Sequence, residues 1–315
     1  MILITGATGF TGRHLLRRLM QEGEQPRILL KPSRKDPALP RGQGVEAALT
    51  SLADSRGVRA AMVGIDTVIH LASAEHRGAE VDLLHTDVQG TRNLTEAAAD
   101  VGVRQLIFIS HVGANRSSAY PVLRAKALAE EAIQSSGVPH TIFRTGALFG
   151  RGDHLTESLA LASAVSPLVF FLPGDGGVLL HPLWVDDLIT LILWTMADPP
   201  RGGHVHEIGG PEYLTADLLA REVMAAASIT RLLNHMRPPY LRATWSVMAR
   251  LLPAWPLRDF WIDYLAANRT AELNTLPSRF GLQPARLEAH LDHIRGRNWT
   301  WEFVRRLFAR RPIVD

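Results

Sequence analysis

Short apolar runs alternate with amphipathic segments along the first half of the chain. The apolar runs are rich in Ile, Val, Leu and Phe, which is typical of strands buried on both faces of a parallel sheet. The segments between them repeat apolar residues at spacings of three and four and mostly end at glycine, as helices do. The strands are predicted at 1–5, 26–30, 45–49, 67–72, 105–110 and 140–144, with helices within 12–23, 55–64, 90–102 and 124–137.

This alternation predicts right-handed β-α-β units and a doubly wound α/β fold with a parallel sheet. The regularity ends near residue 150, and helical periodicity then returns over 185–198, 213–228 and 239–270. We therefore expect a dinucleotide-binding domain over 1–150, with 181–200 packing back onto it. A smaller, mostly helical substrate domain is expected over 151–315.

Composition narrows the functional classes. Hydrophobic residues make up 46% and charged residues 21%, as in globular proteins, and the net charge of +3 is too small to indicate nucleic-acid binding. The chain has no cysteine, which excludes disulfides and thiolate metal sites. The amino terminus lacks a signal-peptide pattern, and the longest apolar stretch falls short of the roughly 20 residues that span a bilayer. We predict a cytoplasmic protein without a transmembrane segment.

A glycine-rich turn, TGATGFTG, follows the first predicted strand and opens a helix. Glycines in this context let the backbone approach a pyrophosphate, and the helix start offers free N–H groups and a positive dipole. The turn therefore predicts dinucleotide binding on a Rossmann-type sheet. The predicted contacts are Gly6, Thr8, Gly9, Phe10, Thr11 and Gly12.

The glycine spacing, Gly-x-x-Gly-x-x-Gly, resembles that of the short-chain dehydrogenase/reductase superfamily, in its extended and atypical, epimerase/dehydratase-like branches. GIDTVIHLAS at 64–73, DVQGTRNLTEAA at 87–98 and LIFIS at 106–110 resemble later landmarks of that family. Within these branches the chain is similar to the nucleotide-binding accessory subunit of respiratory complex I and to regulator-like reductases. The resemblance implies an NAD(P)-dependent oxidoreductase, with further cofactor contacts at Leu71, Ala72, Ser73, Thr145 and Gly146.

The residues after the second strand favour NADP(H) over NAD(H). Lys31 and Arg34 occupy positions where a 2′-phosphate would lie. No acidic residue that could accept a hydrogen bond from a ribose 2′-OH appears between the second strand and Asp36. An exposed basic loop is the alternative. Asp54 occupies the family position near the adenine, although an aspartate there fits a helix N-cap equally well.

The resemblance implies a catalytic Ser, Tyr and Lys, with the Lys four residues after the Tyr so that both share a helix face. Ser110 and Lys126 match this pattern, but the residue four before Lys126 is Val122. Tyr120 is six before, about 120° off that face on a continuous helix. Pro121 suits a first helical turn, which would leave Tyr120 extended just outside it, with its ring able to fold back. A packing or surface tyrosine is the alternative.

Lys126 has a family role that does not depend on the tyrosine, because the lysine also contacts the nicotinamide ribose or delivers the proton itself. The chain has only three lysines among its 34 Lys and Arg residues, which draws attention to this one. A solvated helix lysine remains the alternative. Asp87 and Thr145 depart from the family, which usually has Asn and Pro there.

His111, His181 and Trp184 are expected to line a substrate pocket, and no metal site is predicted, since the histidines lack partners at ligand spacing. Two functions follow from the sequence. The first is an NADP(H)-binding reductase that acts on an unknown small organic substrate. The second is a dinucleotide-binding sensor or assembly protein without turnover. A small-molecule ligand is expected in both, and a homodimer stays open.

Overall fold

The fold is known from a computed structural model, which describes residues 1–32, 45–75, 80–199, 201–251, 259–265 and 267–308. The predicted fold class is confirmed: a seven-stranded sheet is flanked by helices, and the later part of the chain is mostly helical. The chain divides into two compact units. The first contains Met1–Thr145 and Val185–Glu207, and the second contains Gly146–Trp184 and Ile208–Asp315. The assignment of cofactor and substrate roles to 1–150 and 151–315 stays a prediction.

The first unit contains the seven-stranded sheet. Its strands are β1 (Ile2–Thr5), β2 (Arg27–Leu30), β3 (Glu46–Leu49), β4 (Thr67–His70), β5 (Gln105–His111), β6 (His140–Thr145) and β11 (Gly203–Ile208). Its helices are α1 (Phe10–Gln21), α2 (Ser55–Met62), α3 (Glu80–Leu83), α4 (Gly90–Asp100), α5 (Pro121–Ser135) and α7 (Val185–Ala197). A π-helical segment, Leu84–Gln89, joins α3 to α4.

The strand order is β3-β2-β1-β4-β5-β6-β11, and β1 pairs in parallel with both β2 and β4. Leu3 and Ile4 of β1, Ile69 of β4 and Ile107 of β5 have no exposed surface, which explains why these strands are written as unbroken apolar runs. The order reverses between β1 and β4. Ligands of doubly wound sheets bind at the carboxyl ends of the strands next to such a reversal.

The second unit contains short strand pairs and helices. Its strands are β7 (Leu148–Phe149), β8 (Val169–Pro173), β9 (Leu179–Leu180), β10 (Leu183–Trp184), β12 (Leu214–Thr215) and β13 (Leu232–Met236). Its helices are α6 (Thr156–Val165), α8 (Ala216–Ala226), α9 (Pro238–Leu251), α10 (Asp259–Tyr264) and α11 (Trp299–Phe308), with short helical turns at Leu276–Phe280 and Glu288–His290. Among the described residues, none of the helices has the length and apolar character needed to cross a membrane.

Candidate functional site

The glycine-rich turn joins β1 to α1 at the strand-order reversal. Gly6 has a φ of +74°, and a Cβ atom on it would lie 2.6 Å from the backbone nitrogen of Ala72. A Cβ on Gly12 would lie 2.2 Å from the carbonyl oxygen of Gly6. Gly9 precedes α1 in extended backbone, and no described side chain caps the first turn of the helix. The turn thus presents helix N-terminal amides to a close-approaching anion, as a pyrophosphate requires. Thr8 in this turn is exposed, and Phe10 and Thr11 are half-buried.

Lys126 lies in the second turn of α5 and is only 4% exposed. Its Nζ donates a hydrogen bond to the carbonyl oxygen of Ile109 at 3.3 Å and lies 5.2 Å from the ring centre of Phe108. The nearest carboxylate oxygens, Asp87 Oδ1 at 3.7 Å and Glu75 Oε2 at 3.8 Å, are beyond hydrogen-bond distance. Within the described part of the chain, this ammonium therefore uses one of its three N–H donors.

Ser73 connects the two carboxylates. Its Oγ donates to Asp87 Oδ1 at 2.6 Å and lies 3.3 Å from Glu75 Oε2, while the Ala74 amide donates to Asp87 Oδ2 at 2.8 Å. Burial raises the pKa of Asp87, and the Lys126 ammonium and the Ser73 hydroxyl oppose that rise. One ammonium is thus held between two carboxylates where little water reaches.

His111 joins this cluster from the end of β5. Its Nε2 lies 2.8 Å from Glu75 Oε2, the same oxygen that faces Lys126. The side chains of His111 and Glu75 are 14% and 17% exposed, so both retain some contact with solvent. We call Lys126, Asp87, Glu75, Ser73 and His111 the lysine cluster.

His70 is a buried neighbour of the lysine cluster. Its Nδ1 lies 2.6 Å from Thr5 Oγ1 and its Nε2 lies 2.8 Å from Thr91 Oγ1. Burial and then the charge of Lys126 lower its pKa to about 3, so the ring is neutral at pH 7. The hydroxyl of Thr5 also accepts from the Ala72 amide at 3.3 Å. This chain of contacts fixes the β4 end against the glycine-rich turn.

Ser110 makes its side-chain hydrogen bond outside the lysine cluster. Its Oγ donates to Glu130 Oε1 at 2.5 Å, and Glu130 forms a bidentate pair with Arg144, whose nitrogens lie 2.7–3.1 Å from its oxygens. Arg144 also donates to Glu207 at 3.1 Å. Ser110 is only 1% exposed, and its neighbour His111 is the residue that reaches the lysine cluster. The predicted substrate role of Ser110 has no support from these contacts, which are those of an internal ion-pair network.

Comparisons with known proteins agree with this geometry. Residues 6–160 match the family described as NAD(P)H-binding. The chain is 28% identical to ceramide reductase of Caulobacter vibrioides (strain NA1000 / CB15N), over 93% of this chain and 85% of the relative. It is also 28% identical to the mitochondrial NADH dehydrogenase (ubiquinone) 1 alpha subcomplex subunit 9 of Arabidopsis thaliana, over 70% of this chain and 56% of that one. Among solved structures, the UDP-glucose 4-epimerase of Thermus thermophilus in complex with NAD has a TM-score of 0.69 and 20% identity, covering 94% and 99% of the two chains.

Residues 6–160 are thus similar to an NAD(P)H-binding family, and the chain shares the fold of the epimerase. Two observations on this structure fit the cofactor that the family uses. A Cβ on Gly6 or Gly12 would collide with the backbone of Ala72 or Gly6, so the tight turn of a dinucleotide-binding loop requires glycine at both positions. The unused donors of Lys126 suit ribose hydroxyls, which accept hydrogen bonds from ammonium groups.

Val122, at the position where the family has its tyrosine, packs against apolar side chains. Val122 is partly buried against an apolar cluster that includes Ala74, Leu83, Val88 and Ala125. Tyr120 is the N-cap of α5 with φ −88° and ψ 118°, and Pro121 is the first helical residue. The extended conformation expected for Tyr120 is therefore observed, whereas its part in the chemistry stays a prediction.

The nucleotide-specificity residues are only partly described. Lys31 is exposed directly after β2, while Arg34 lies outside the described residues. Asp54 is the N-cap of α2, and its Oδ1 accepts from the Gly57 amide at 3.1 Å. The capping alternative for Asp54 is thus realised, and its contact with an adenine stays a prediction.

The remaining predicted residues make structural contacts. His181 has no exposed surface; its Nε2 donates to the Gly210 carbonyl at 2.7 Å and its Nδ1 accepts from the Ala271 amide at 3.2 Å. With both nitrogens engaged, its predicted place in a substrate pocket has no support. Trp184 stacks on His290 at a centroid distance of 3.9 Å.

Thr145 and Gly146, which follow Arg144 of β6, make close contacts with backbone carbonyl groups. Thr145 is buried, and its Oγ1 donates to the Ser110 carbonyl at 3.3 Å. A Cβ on Gly146 would lie 1.9 Å from the carbonyl oxygen of His181, so close packing accounts for this glycine. Their predicted cofactor contacts stay predictions.

Sequence reasoning missed Glu75 and Glu130 entirely. It noted Asp87 only as a departure from the family's Asn and did not pair it with Lys126. A signal for that pair was present, because an acid replacing a neutral residue beside a rare lysine suggests charge pairing. Glu75 lies in a loop after β4, where no periodicity indicates which way a side chain points.

Proposed function

We propose that this chain is an NADP(H)-dependent reductase that acts on the carbonyl group of a small organic compound. The observation that carries the proposal is the state of Lys126. A 4% exposed ammonium with one hydrogen bond among the described residues is prepared to donate to an incoming ligand. It lies on the same unit as the glycine-rich turn, as the family's ribose-binding lysine does.

A bound nicotinamide dinucleotide would supply the hydride. The glycine-rich turn would hold the pyrophosphate, and Lys126 would hold the nicotinamide ribose. Since Val122 replaces the usual tyrosine, Lys126 is also the group proposed to give a proton to the substrate oxygen. Asp87 Oδ1 and Glu75 Oε2 lie 3.7 and 3.8 Å from Lys126 Nζ and place negative charge beside the ammonium.

The preference for NADP(H) is supported by the basic residues Lys31 and Arg34 and by the absence of an acid between β2 and Asp36 in the sequence. Replacing both cations with Ala should weaken NADPH binding by about tenfold or more, because each charge-assisted bond contributes about 1.5–3 kcal/mol. NADH binding should change little. Equal affinity of the unaltered protein for the two cofactors would contradict the preference.

The choice of substrates to screen is guided by the name of a relative rather than by the geometry. A relative that aligns over 93% of this chain is named ceramide reductase. Carbonyl compounds with long apolar chains are therefore the first group to screen, followed by small ketones and quinones.

The second candidate is a dinucleotide-binding protein without turnover. It is supported by Val122, whose contacts with an apolar cluster leave the usual proton-donor position filled by hydrocarbon. A relative named as a subunit of NADH dehydrogenase is consistent with an assembly role. This candidate predicts tight cofactor binding and no cofactor oxidation with any carbonyl compound.

The deciding experiment measures NADPH binding by fluorescence and NADPH oxidation during the carbonyl screen. Lys126→Met should weaken binding by about tenfold or more and abolish oxidation, since it removes the ribose contacts and the proton donor. The double variant Lys126→Met/Asp87→Asn is the control for burying an unpaired carboxylate. If Lys126→Met binds and turns over like the unaltered protein, the proposal is wrong.

A further inference from the structure

A cavity of about 500 Å³ lies in the second unit of the chain, whereas the glycine-rich turn and the lysine cluster belong to the first unit. Its volume is typical of sites that bind small molecules. Among the described residues, its wall contains four arginines, Arg151, Arg295, Arg297 and Arg305, and two acidic residues, Asp292 and Glu302. We call it the arginine cavity, and its arginines exceed its carboxylates by two charges.

His293 also lines the arginine cavity, but it adds no charge at neutral pH. Burial, the largest cause, and the charges of Arg297 and Arg151 lower the pKa of His293 to about 4, while the Glu157 carboxylate opposes them. The imidazole is therefore neutral at pH 7. The positive excess of the wall comes from guanidinium groups, which stay charged at every pH at which the protein is folded.

Arg297 is positioned by a buried tryptophan. Its Cζ lies over the ring of Trp299, 4.6 Å from the ring centre, and Trp299 Nε1 donates to the Ile294 carbonyl at 3.0 Å. Trp299 is 2% exposed, whereas the Arg297 side chain is 26% exposed and so remains in contact with solvent. A guanidinium positioned in this way loses little conformational freedom when its N–H groups bind the oxygens of an anion.

Two carboxylates next to Arg297 are shared among three guanidinium groups. Glu302 forms ion pairs with Arg305 at 3.0 Å and with Arg306 at 3.2 Å. Its distance to Arg297 is 3.8 Å. Glu157 forms ion pairs with Arg306 at 3.1 Å and with Arg297 at 3.4 Å. Because each carboxylate carries one negative charge, this group of five side chains keeps a net positive charge.

Trp301 provides an apolar surface in the same wall. It lines the arginine cavity and is 65% exposed. The ring of an exposed tryptophan offers a large apolar contact area to a ligand. A compound that carries an anionic group on an organic part therefore fits the cavity better than a bare inorganic ion.

We propose that the arginine cavity binds the phosphate group of a phosphorylated organic compound. A phosphate monoester carries a charge of about −1.5 to −2 at pH 7, which matches the excess of two positive charges in the wall. Arginine is well suited to phosphate, because its planar fork donates two parallel hydrogen bonds. Two sources supply such a group, a soluble phosphate ester and a lipid with a terminal phosphate. The proposal is independent of the reductase function, and its test needs no turnover.

Calorimetric titration of the full chain with phenyl phosphate measures the binding. Arg297→Gln should weaken it by about tenfold or more, because the substitution removes a charge-assisted contact. Benzenesulfonate is the ligand control, since it has the same ring but a single negative charge. It should bind at least about threefold less tightly than phenyl phosphate. Equal affinity for the two compounds would show that the ring, and not the charge of the phosphate, is recognised.

The ion pair of Arg295 with Asp292 separates binding from stability. Its nitrogen–oxygen distance is 2.8 Å and its side chains are 50% and 80% exposed, so either substitution should leave the fold intact. Arg295→Gln removes a positive charge from the wall and should weaken phenyl phosphate binding about threefold, whereas Asp292→Asn removes a negative charge and should strengthen it about twofold. A purely structural pair predicts the same change in both variants, because each breaks the same contact. Arg18→Gln is the matched control: Arg18 pairs with Glu22 at 2.8 Å in the first unit and is 56% exposed, and its loss should leave the affinity unchanged.

Sedimentation with phosphatidylcholine vesicles that contain phosphatidic acid distinguishes the two sources. Vesicle binding that Arg297→Gln abolishes assigns the phosphate to a lipid, and binding of phenyl phosphate without it assigns the phosphate to a soluble ester. If neither phenyl phosphate nor the vesicles bind, the proposal is wrong. It is also wrong if Arg297→Gln and Arg295→Gln leave binding unchanged, since the phosphate then lies at another site, such as the glycine-rich turn. If Arg297→Gln does not fold, as judged by thermal unfolding, the opposite changes expected in Arg295→Gln and Asp292→Asn decide the question.

Discussion

Two clusters of charge lie on one face of α5, four residues apart, and they are built differently. At Glu130 the ion pair with Arg144 is closed, because every nitrogen–oxygen contact between them is 2.7–3.1 Å long. At Lys126 the Asp87 and Glu75 oxygens lie 3.7 and 3.8 Å from Nζ, beyond hydrogen-bond distance. Within the described structure, the ammonium therefore has N–H groups that donate no hydrogen bond. A closed pair stabilises the fold, whereas the open one is the proposed contact for a ligand.

The same difference separates two neighbouring residues of β5. Ser110 is paired in register with Arg144 and contacts the closed network through Glu130, while His111, the last residue of β5, contacts the open cluster through Glu75. Neighbouring positions of the strand thus lie in two different environments.

The largest expected effect comes from breaking the closed network. Arg144→Ala should lower the free energy of unfolding by about 3 kcal/mol, because it leaves the buried Glu130 carboxylate without its partner. Denaturant unfolding measures the loss. NADPH affinity should be unchanged, since Arg144 makes no described contact with the lysine cluster.

The double variant Arg144→Ala/Glu130→Gln is the control for this prediction. It removes the unpaired charge and should recover part of the lost stability. A loss below about 1 kcal/mol in Arg144→Ala, typical of exposed pairs, would show that the network is not closed in solution.

The second effect concerns acid sensitivity next to the open cluster. The folded-state pKa of His70 is lowered to about 3 from 6.5, so the unfolded chain binds more protons between these values. The stability that the neutral ring contributes is present above pH 6.5 and is lost as pH falls toward 3. The loss should be on the order of 3 kcal/mol between pH 6.5 and 4.

His70→Gln tests this by comparison with the unaltered protein at each pH. The variant has no group that titrates at this position, so the stability difference between the two proteins should shrink as pH falls from 6.5 to 4. Denaturant unfolding at several pH values gives that difference directly. A difference that stays constant over this range would show that the ring is not held neutral by burial.

The sequence predicts the sheet and the glycine-rich turn, because each depends on a local pattern, while the role of Lys126 comes from the family resemblance and stays a prediction. The glycine spacing predicts a tight turn, in which Gly6 closely approaches the backbone after β4. Pro121 predicts where α5 begins. Asp54 shows the limit of this reasoning: the same local pattern fits a cap and a ligand contact, and the structure supplies only the cap.

The rest depends on contacts between distant segments. Glu75 and Lys126 are 51 positions apart (126 − 75), and Ser110 and Arg144 meet only through the register of β5 with β6. The predicted strand ended at Ser110, and the observed one ends at His111. Ser110 was assigned to the site from the family resemblance, and that role stays a prediction, while the contact of His111 with Glu75 depends on a loop position that no local pattern predicts.

The smallest expected effect tests the difference between Ser110 and His111. Ser110→Ala removes a hydrogen bond to a charged acceptor and should lower the free energy of unfolding by about 1.5 kcal/mol. Ser163→Ala is the matched control, because Ser163 is equally buried but donates to the neutral carbonyl of Ala160 at 3.0 Å, and its loss should be nearer to about 0.5–1 kcal/mol. NADPH binding and any reductase activity should persist in Ser110→Ala. If activity disappears while stability is unchanged, Ser110 serves the substrate, and its assignment to the closed network alone is wrong.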